Sequence, residues 1–266
     1  MSESVAVKRV AAFIGTARKK HTYTAVREFL DRLEVLGGVE CEIVILSDYR
    51  IETCRGCKLC FEKGEEFCPL KDDRDVLIEK MMASDGVIFA SPNYSFQVSG
   101  IMKTFLDRLG FLFHRPRFHG KAFTSIVVQG IFGGRKIVKY LSFVGEGLGF
   151  DVVKGSCTTA FEPMTVKEQQ KRDKALAKQS ERFHKELSKS GNRVPTLVKL
   201  MVFRMGRTSV RINLDDASRD YTYYSEHGWF ESDYWYPTRL GVLKRSAGSL
   251  FDWVFTRVYK ARADQE

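Results

Sequence analysis

A doubly wound α/β sheet is the fold class this sequence of 266 residues predicts, on three observations. Short apolar runs ending in Gly, Ser or Gln alternate with segments of helical period through the first 160 residues. The loops after the first and third runs carry polar and aromatic residues where such a sheet binds its ligands. Beyond that region the chain changes character, to long charged and aromatic stretches of helical spacing.

The elements follow in order. "RVAAFIG" (9–15) reads as a buried parallel strand. "TYTAVREFLDRLEVLG" repeats apolar residues at helical spacing through Val26, Phe29, Leu30, Leu33 and Leu36, with Gly37 as its stop. "CEIVILS" (41–47) is a second strand, and "DDRDVLIEKMMAS" opens with carboxylates suited to a helix N-terminus. "GVIFAS" (86–91), "FTSIVVQ" (123–129) and "FDVVKGSC" (150–157) complete a five-stranded set, with helices expected at 99–109 and 134–147. The order expected of these strands is 2-1-3-4-5. A boundary is expected at 160/161, followed by a mainly helical, basic and aromatic-rich extension (161–266) packing on the first domain or on a second subunit. Within it 166–189 is a highly charged helix. In 191–211, drawn as a helix, Leu197, Val198, Met201, Val202 and Met205 share one face. Lys199, Arg204 and Arg207 lie opposite, with Leu200 and Phe203 spoiling the division. Leu243, Ala247, Leu250, Val254 and Val258 make the last helix amphipathic.

Net charge is +10, and its excess is uneven. Residues 164–266 carry 20 Lys and Arg against 13 Asp and Glu. No zinc-finger, RNP or helix-turn-helix pattern accompanies it, so nucleic acid is not the expected partner. Peripheral membrane contact ranks behind packing for the basic 191–211 segment. No apolar run reaches bilayer length, and "MSESVAVKRV" lacks the apolar core of a signal peptide, so the expected compartment is the cytoplasm. Clustered thiols stay reduced there and favour metal or redox chemistry. Cys41 and Cys157 stand alone in strands and read as inert core thiols.

Two loops carry the binding chemistry. "GTARKKHTYT" (15–24) joins the first strand to a helix, where free backbone N–H groups and the helix dipole bind phosphate. Gly15 permits close approach, Thr16 and Thr22 offer hydroxyls, and Arg18 supplies a fixed positive charge. Lys19, Lys20 and His21 read as solvated loop. "SPNYSFQVSG" (91–100) follows the third strand, with Pro92 stiffening the turn, Asn93 and Ser95 offering polar contacts, and Tyr94 offering a flat ring. Neither loop is a Walker or dinucleotide fingerprint.

Together "GTARKKHT" and "SPNYSFQVSGIMKTFLDR" resemble the flavodoxin-like NADPH-dependent FMN reductases and iron–sulfur flavoproteins, over roughly residues 8–160. Thr16 and Ala17 stand where the family's phosphate loop usually has Ser and Pro. The resemblance implies a flavodoxin-like fold and FMN, with phosphate on Thr16, Arg18 and Thr22 and the ring lined by Pro92, Asn93, Tyr94 and Ser95. It also implies a third loop, matched in position by "QGIFGG" (129–134), where Gly130, Gly133 and Gly134 let backbone approach the flavin. It names no proton-shuttling residue, and His114, His119, Arg115 and Arg117 are assigned no role.

"CRGCKLCFEKGEEFCP" (54–69) holds Cys54, Cys57, Cys60 and Cys68. A [4Fe–4S] cube takes four thiolates, three commonly from a Cys-x2-Cys-x2-Cys turn, whereas structural zinc sites favour two separated pairs. Iron–sulfur flavoproteins carry such a compact set, although many relatives bind FMN alone. Three functions are thus expected. The first is an FMN-dependent oxidoreductase passing electrons from NAD(P)H to a quinone, nitro compound or flavin. The second is an iron–sulfur flavoprotein electron carrier serving a redox protein, and the third a membrane-surface or scaffold protein with a structural flavin. A homo-oligomer is expected in each case.

Overall fold

A computed structural model describes residues 7–161, 163–189 and 191–263. The strands are β1 (Lys8–Ile14), β2 (Val39–Ile45), β3 (Gly86–Pro92), β4 (Ala122–Gln129), β5 (Asp151–Val152) and β6 (Ser156–Thr159). The helices are α1 (His21–Val35), α2 (Leu59–Glu62), α3 (Arg74–Ala83), α4 (Gly100–Arg108), α5 (Gly134–Gly147), α6 (Val166–Leu187), α7 (Leu197–Asn213), α8 (Arg219–Glu226) and α9 (Val242–Ala263). Two compact units form. One takes in the described residues of Met1–Cys54 and Leu70–Ser190, the other those of Arg55–Pro69 and Gly191–Glu266.

In the first unit the strands are all parallel and ordered β2-β1-β3-β4-β5, with β6 also paired to β4. The 2-1-3-4-5 flavodoxin-like order expected from the sequence is the one observed. The fifth position, read as one strand over 150–157, is instead two short strands. Gly155 explains the interruption. A Cβ there would lie 2.4 Å from the Ser125 carbonyl oxygen, so bare backbone presses on β4 where the pairing lapses. Across the break Val153 N–H donates to Phe123 O (2.7 Å) and Thr124 Oγ1 to Val153 O (3.0 Å).

Both sheet faces are buried, as a parallel sheet requires. Val10, Ala12 and Ile14 alternate along β1 onto a core shared with Ile88, Ala90, Ile126, Val128 and the apolar stripe of α1. Phe13, Phe89 and Phe123 face the other way and join Phe105 and Phe150, with ring centroids 5.0–5.8 Å apart.

The charged helix α6 belongs to this first unit, so the unit does not end at residue 160. Thr165 and Glu168 form a reciprocal capping box at its start. Leu176, Phe183 and Leu187 share one face and are buried in the sheet core. Each such burial is worth about 1.5–3 kcal/mol, enough to dock a helix that is otherwise polar. Gly86 makes room, since a Cβ there would meet Leu187 and Phe183 at 2.7 and 2.8 Å. Gln179 adds a buried polar tie, donating to Thr124 Oγ1 (2.9 Å) and Ser125 O (3.0 Å).

The second unit has its own core, built from Leu200, Phe203 and Val210 of α7, Tyr223 and Tyr224 of α8, and Trp229, Tyr234 and Leu240. The Trp229 indole donates to Trp235 O (3.0 Å), and Tyr236 OH donates to Arg193 O (2.8 Å). Here the structure reverses the expected polarity of α7. Leu200 and Phe203, which spoiled the amphipathic division, are in the core, and Arg204 and Arg207 are buried beside them. Leu197, Val198, Val202 and Met205 face outward. The cause is pairing. Asp252 of α9 accepts from Arg204 Nη1 and Arg207 Nη2, each at 2.6 Å, and Arg204 also reaches Asp233. Guanidiniums go inward when carboxylates meet them there. Among the described residues no helix is long and apolar enough to cross a membrane.

Candidate functional site

The carboxyl ends of β1, β3 and β4 open into a cavity of about 310 Å³. Thr16, Arg18, Lys20, His21 and Thr22 line it from the first loop, Pro92, Asn93 and Tyr94 from the second, and Val128, Gln129, Gly130 and Ala160 from the third side. No carboxylate is among these residues, so the wall suits an anion.

The first loop is held by its neighbours. Gly15 N–H donates to Ala90 O (2.8 Å), and Ser99 Oγ, which also caps α4, donates to Gly15 O. A Cβ on Gly15 would come within 2.7 Å of Met102 Cβ and 2.8 Å of Ser99 Oγ. Only glycine lets β1 end this close to α4. Helix α1 then starts with no side-chain cap on Lys20 and no acidic residue in its first turn. Such an N-terminus leaves backbone donors for an anionic ligand. Thr22 is buried in that turn, and Thr16 Oγ1 accepts from Arg18 N–H (3.3 Å), leaving its own hydroxyl hydrogen to donate.

The second loop is a strained tight turn. Tyr94 and Gln97 exchange backbone hydrogen bonds of 3.0 and 2.9 Å, with Ser95 and Phe96 at φ +50° and +62° between them. Left-handed backbone is costly for a Phe and persists only where surrounding contacts impose it. Here Asn93 Nδ2 donates to Phe132 O (2.8 Å), tying the second loop to the third. The Phe96 and Phe132 rings meet at 5.2 Å between centroids, and both are more than half exposed. Asn93 Oδ1 is buried with no hydrogen-bond partner, an acceptor in want of a donor. Arg18 Nη2 donates to Tyr94 OH (3.1 Å), closing the first loop onto the second.

Of the residues expected to bind a flavin, Thr16, Arg18, Thr22, Pro92, Asn93, Tyr94 and Gly130 meet on this cavity, while Gly15 shapes the loop behind it. Ser95, Gly133 and Gly134 do not line it. Ser95 occupies the turn, Gly133 (φ +97°) makes space for the Phe96 ring, and Gly134 packs against Cys157 Sγ. Lys20 and His21, read as solvated loop, are on the wall. Their place at the first turn of the helix was the available signal. Phe96 and Phe132 carried none, because their pairing joins separate loops.

In the cysteine segment Gly56 (φ +64°) and Lys58 (φ +62°) turn the chain tightly into α2, and α2 packs on α8. Cys54 and Cys57 are exposed, Cys60 is half-buried and Cys68 is buried, and all four are thiols rather than disulfides. The donor set has the chemistry of an iron–sulfur site. Among the described residues, however, no three His, Cys, Asp or Glu side chains are gathered to hold a metal ion.

A parallel sheet in this order, ending on an uncapped helix and a basic, hydroxyl-bearing loop, is a flavodoxin-like nucleotide-binding domain. The chain belongs to the NADPH-dependent FMN reductase family, whose model matches residues 8–161. That family is a class of FMN-dependent oxidoreductases. An iron–sulfur flavoprotein of Archaeoglobus fulgidus is 39% identical over 128 residues, 44% of this chain and 57% of the relative. A second iron–sulfur flavoprotein of that organism is 29% identical over 164 residues, 59% of this chain and 80% of the relative. The chain thus spans little more than half the length of the first relative. The solved structure of RosB, with bound 8-demethyl-8-formylriboflavin-5′-phosphate, shares the fold at 14% identity and a TM-score of 0.54, covering 88% of this chain and 92% of RosB.

Proposed function

We propose that this chain is a cytoplasmic, homo-oligomeric FMN-dependent oxidoreductase that takes electrons from NAD(P)H and passes them to a small acceptor such as a quinone, nitro compound or free flavin. The observation that carries this reading is the uncapped N-terminus of α1 facing a cavity with Arg18, Thr16 and Thr22 and no carboxylate. Three features of the wall fit FMN. Arg18 and the α1 amides suit its phosphate, the unpartnered Asn93 Oδ1 suits a ring N–H, and Tyr94 offers a flat side to the ring. FMN, when bound, supplies the redox chemistry. The protein's part is to hold it, neutralise its phosphate and shape the approach. Tyr94 keeps Arg18 in place by accepting its hydrogen bond. Phe96 and Phe132 give a flat acceptor an apolar approach beside Asn93.

Arg18→Ala removes a charge-assisted contact worth about 2–3 kcal/mol, so the Kd for FMN should rise roughly 30- to 150-fold. Quenching of flavin fluorescence by the apoprotein measures it. An unchanged Kd would place the phosphate elsewhere, and failure of the FMN-loaded wild type to oxidise either nicotinamide with any acceptor would sink the enzyme reading.

The second reading adds a [4Fe–4S] cluster on Cys54, Cys57, Cys60 and Cys68, exchanging electrons with a redox protein. Four cysteines within one short segment, three of them in Cys-x2-Cys-x2-Cys spacing, favour it. Anaerobically purified protein should contain iron and sulfide, and Cys57→Ser should lose both while retaining FMN. Flavin without iron in the wild type would refute this reading and leave the first intact.

A further inference from the structure

We propose that the outward faces of α7 and α9 bind the surface of an anionic lipid bilayer. Along α7, Val198, Val202 and Met205 recur at helical spacing and are exposed, Val198 by 66%. Along α9, Leu243, Leu250 and Val254 recur in the same way beside Trp253, and Leu243 is 87% exposed. The residues that blurred these stripes in the sequence are accounted for. Leu200 and Phe203 lie in the unit's core, and Arg204 and Arg207 are turned inward onto Asp252. What remains outside is a pair of aliphatic strips on two helices packed together.

Charge selects the occupant. Helix α7 contains no acidic residue, and α9 has one, Asp252, which two arginines already engage. By helical spacing Arg257 shares the α9 strip, Lys260 and Arg262 lie to either side of it, and Lys199 lies beside the α7 strip. Arg257 lies over the Trp253 ring at 4.1 Å, so a cation and an indole are presented together. A second copy meeting this face through the same face would set these cations against themselves, a costly arrangement. An acidic protein would match the rim but need apolar strips of its own. An anionic bilayer answers both demands, since headgroups meet the cations while Leu, Val and Trp enter the interface.

The test uses the full chain and sucrose-loaded vesicles of phosphatidylcholine with or without about 30% phosphatidylglycerol. The protein should pellet with the anionic vesicles at about 50 mM salt and be released at about 500 mM. Its tryptophan emission should shift to the blue on binding, and Trp253→Phe should abolish that shift. Arg257→Glu changes two charges at roughly fivefold each and should lower partitioning about thirtyfold. Leu250→Asp should lower it by about tenfold or more. Leu243→Asp repeats the test at a more exposed position if Leu250→Asp alters the melting curve. Equal pelleting with both vesicle types, or none with either, would overturn the proposal. So would anionic binding unchanged in both Asp variants, or a fall in their mass by light scattering, which would mean that a protein covers the face.

Discussion

Arg108→Ala should destabilise the first unit by about 3–5 kcal/mol, the cost of leaving a buried carboxylate without its cation. Arg108 of α4 and Asp72 have side chains only 4% and 1% exposed. The guanidinium grips the carboxylate with two bonds, Nε to Oδ2 at 3.0 Å and Nη2 to Oδ1 at 2.9 Å. Asp72 also accepts from the Glu52 N–H (2.9 Å) and more weakly from that of Arg74 (3.4 Å). Beside it Arg50 N–H donates to Asp73 Oδ2 (2.7 Å), and Asp73 N–H to Arg50 O (2.8 Å). Residues 50–52 precede the four cysteines and residues 72–73 follow them, so this cluster pins both ends of the excursion that carries the thiols.

The pH dependence has a definite sign. Burial alone would raise the Asp72 pKa, but the Arg108 guanidinium and the two backbone N–H bonds outweigh it and hold the carboxyl below its ordinary value. Stability from this group is therefore complete above the unfolded pKa and lost as pH falls through the lower folded one. Without Arg108, burial dominates and the folded pKa rises above the unfolded one. Acidification then relieves the variant's buried charge. The melting gap between wild type and Arg108→Ala should be largest near neutrality and narrow towards about pH 4. Thermal melts at the two pH values read it, and a gap that stays constant would mean the pair contributes no charge-dependent stability.

Much of the first unit could be read from the sequence because its signals are local. Apolar runs, a helical stripe in α1, and hydroxyls and Arg18 after the first strand each declare themselves within about ten residues. The elements that local pattern does not reveal depend on distant partners. Helix α6 shows three core side chains among 22 residues, too few to announce that it covers the sheet. Its docking rests on Gly86, some 100 residues earlier in the chain. The fifth strand broke because Gly155 meets Ser125, a contact that no local pattern in "VVKGSC" reveals. In the site, Thr16, Arg18, Asn93 and Tyr94 were legible as loop chemistry at a switch point. The Phe96–Phe132 contact was not, since it requires the third loop to fold back onto the second. The polarity of α7 is hidden from local pattern for the same reason: arginines look solvent-facing until their carboxylates, 29 to 48 residues away, are in place.

Those carboxylates make Asp252→Ala the second large effect. Arg204 and Arg207 have side chains 7% and 9% exposed, and Asp252 bridges them. Burial pushes the Arg207 pKa down, against the opposing pull of Asp252, and because a guanidinium stays charged, the buried cation needs this carboxylate. The bridge also ties α9 to α7, and Gly248 of α9 lets Arg204 approach, since a Cβ there would lie 3.2 Å from Arg204 Nη2. After Asp252→Ala, Arg204 keeps Asp233 and Arg207 keeps the Ser232 carbonyl (2.6 Å). The loss should therefore be somewhat smaller than for Arg108→Ala, about 2–4 kcal/mol, also because Asp252 is partly exposed. It should fall on the second unit alone, as an earlier unfolding step with normal FMN affinity in the first. Asp252→Asn, which keeps an acceptor but drops the charge, should recover part of the loss. Differential scanning calorimetry resolves the two units. A single transition shifted as a whole, or an Asn variant as damaged as the Ala variant, would show that the charge bridge is not what fixes α9 on α7.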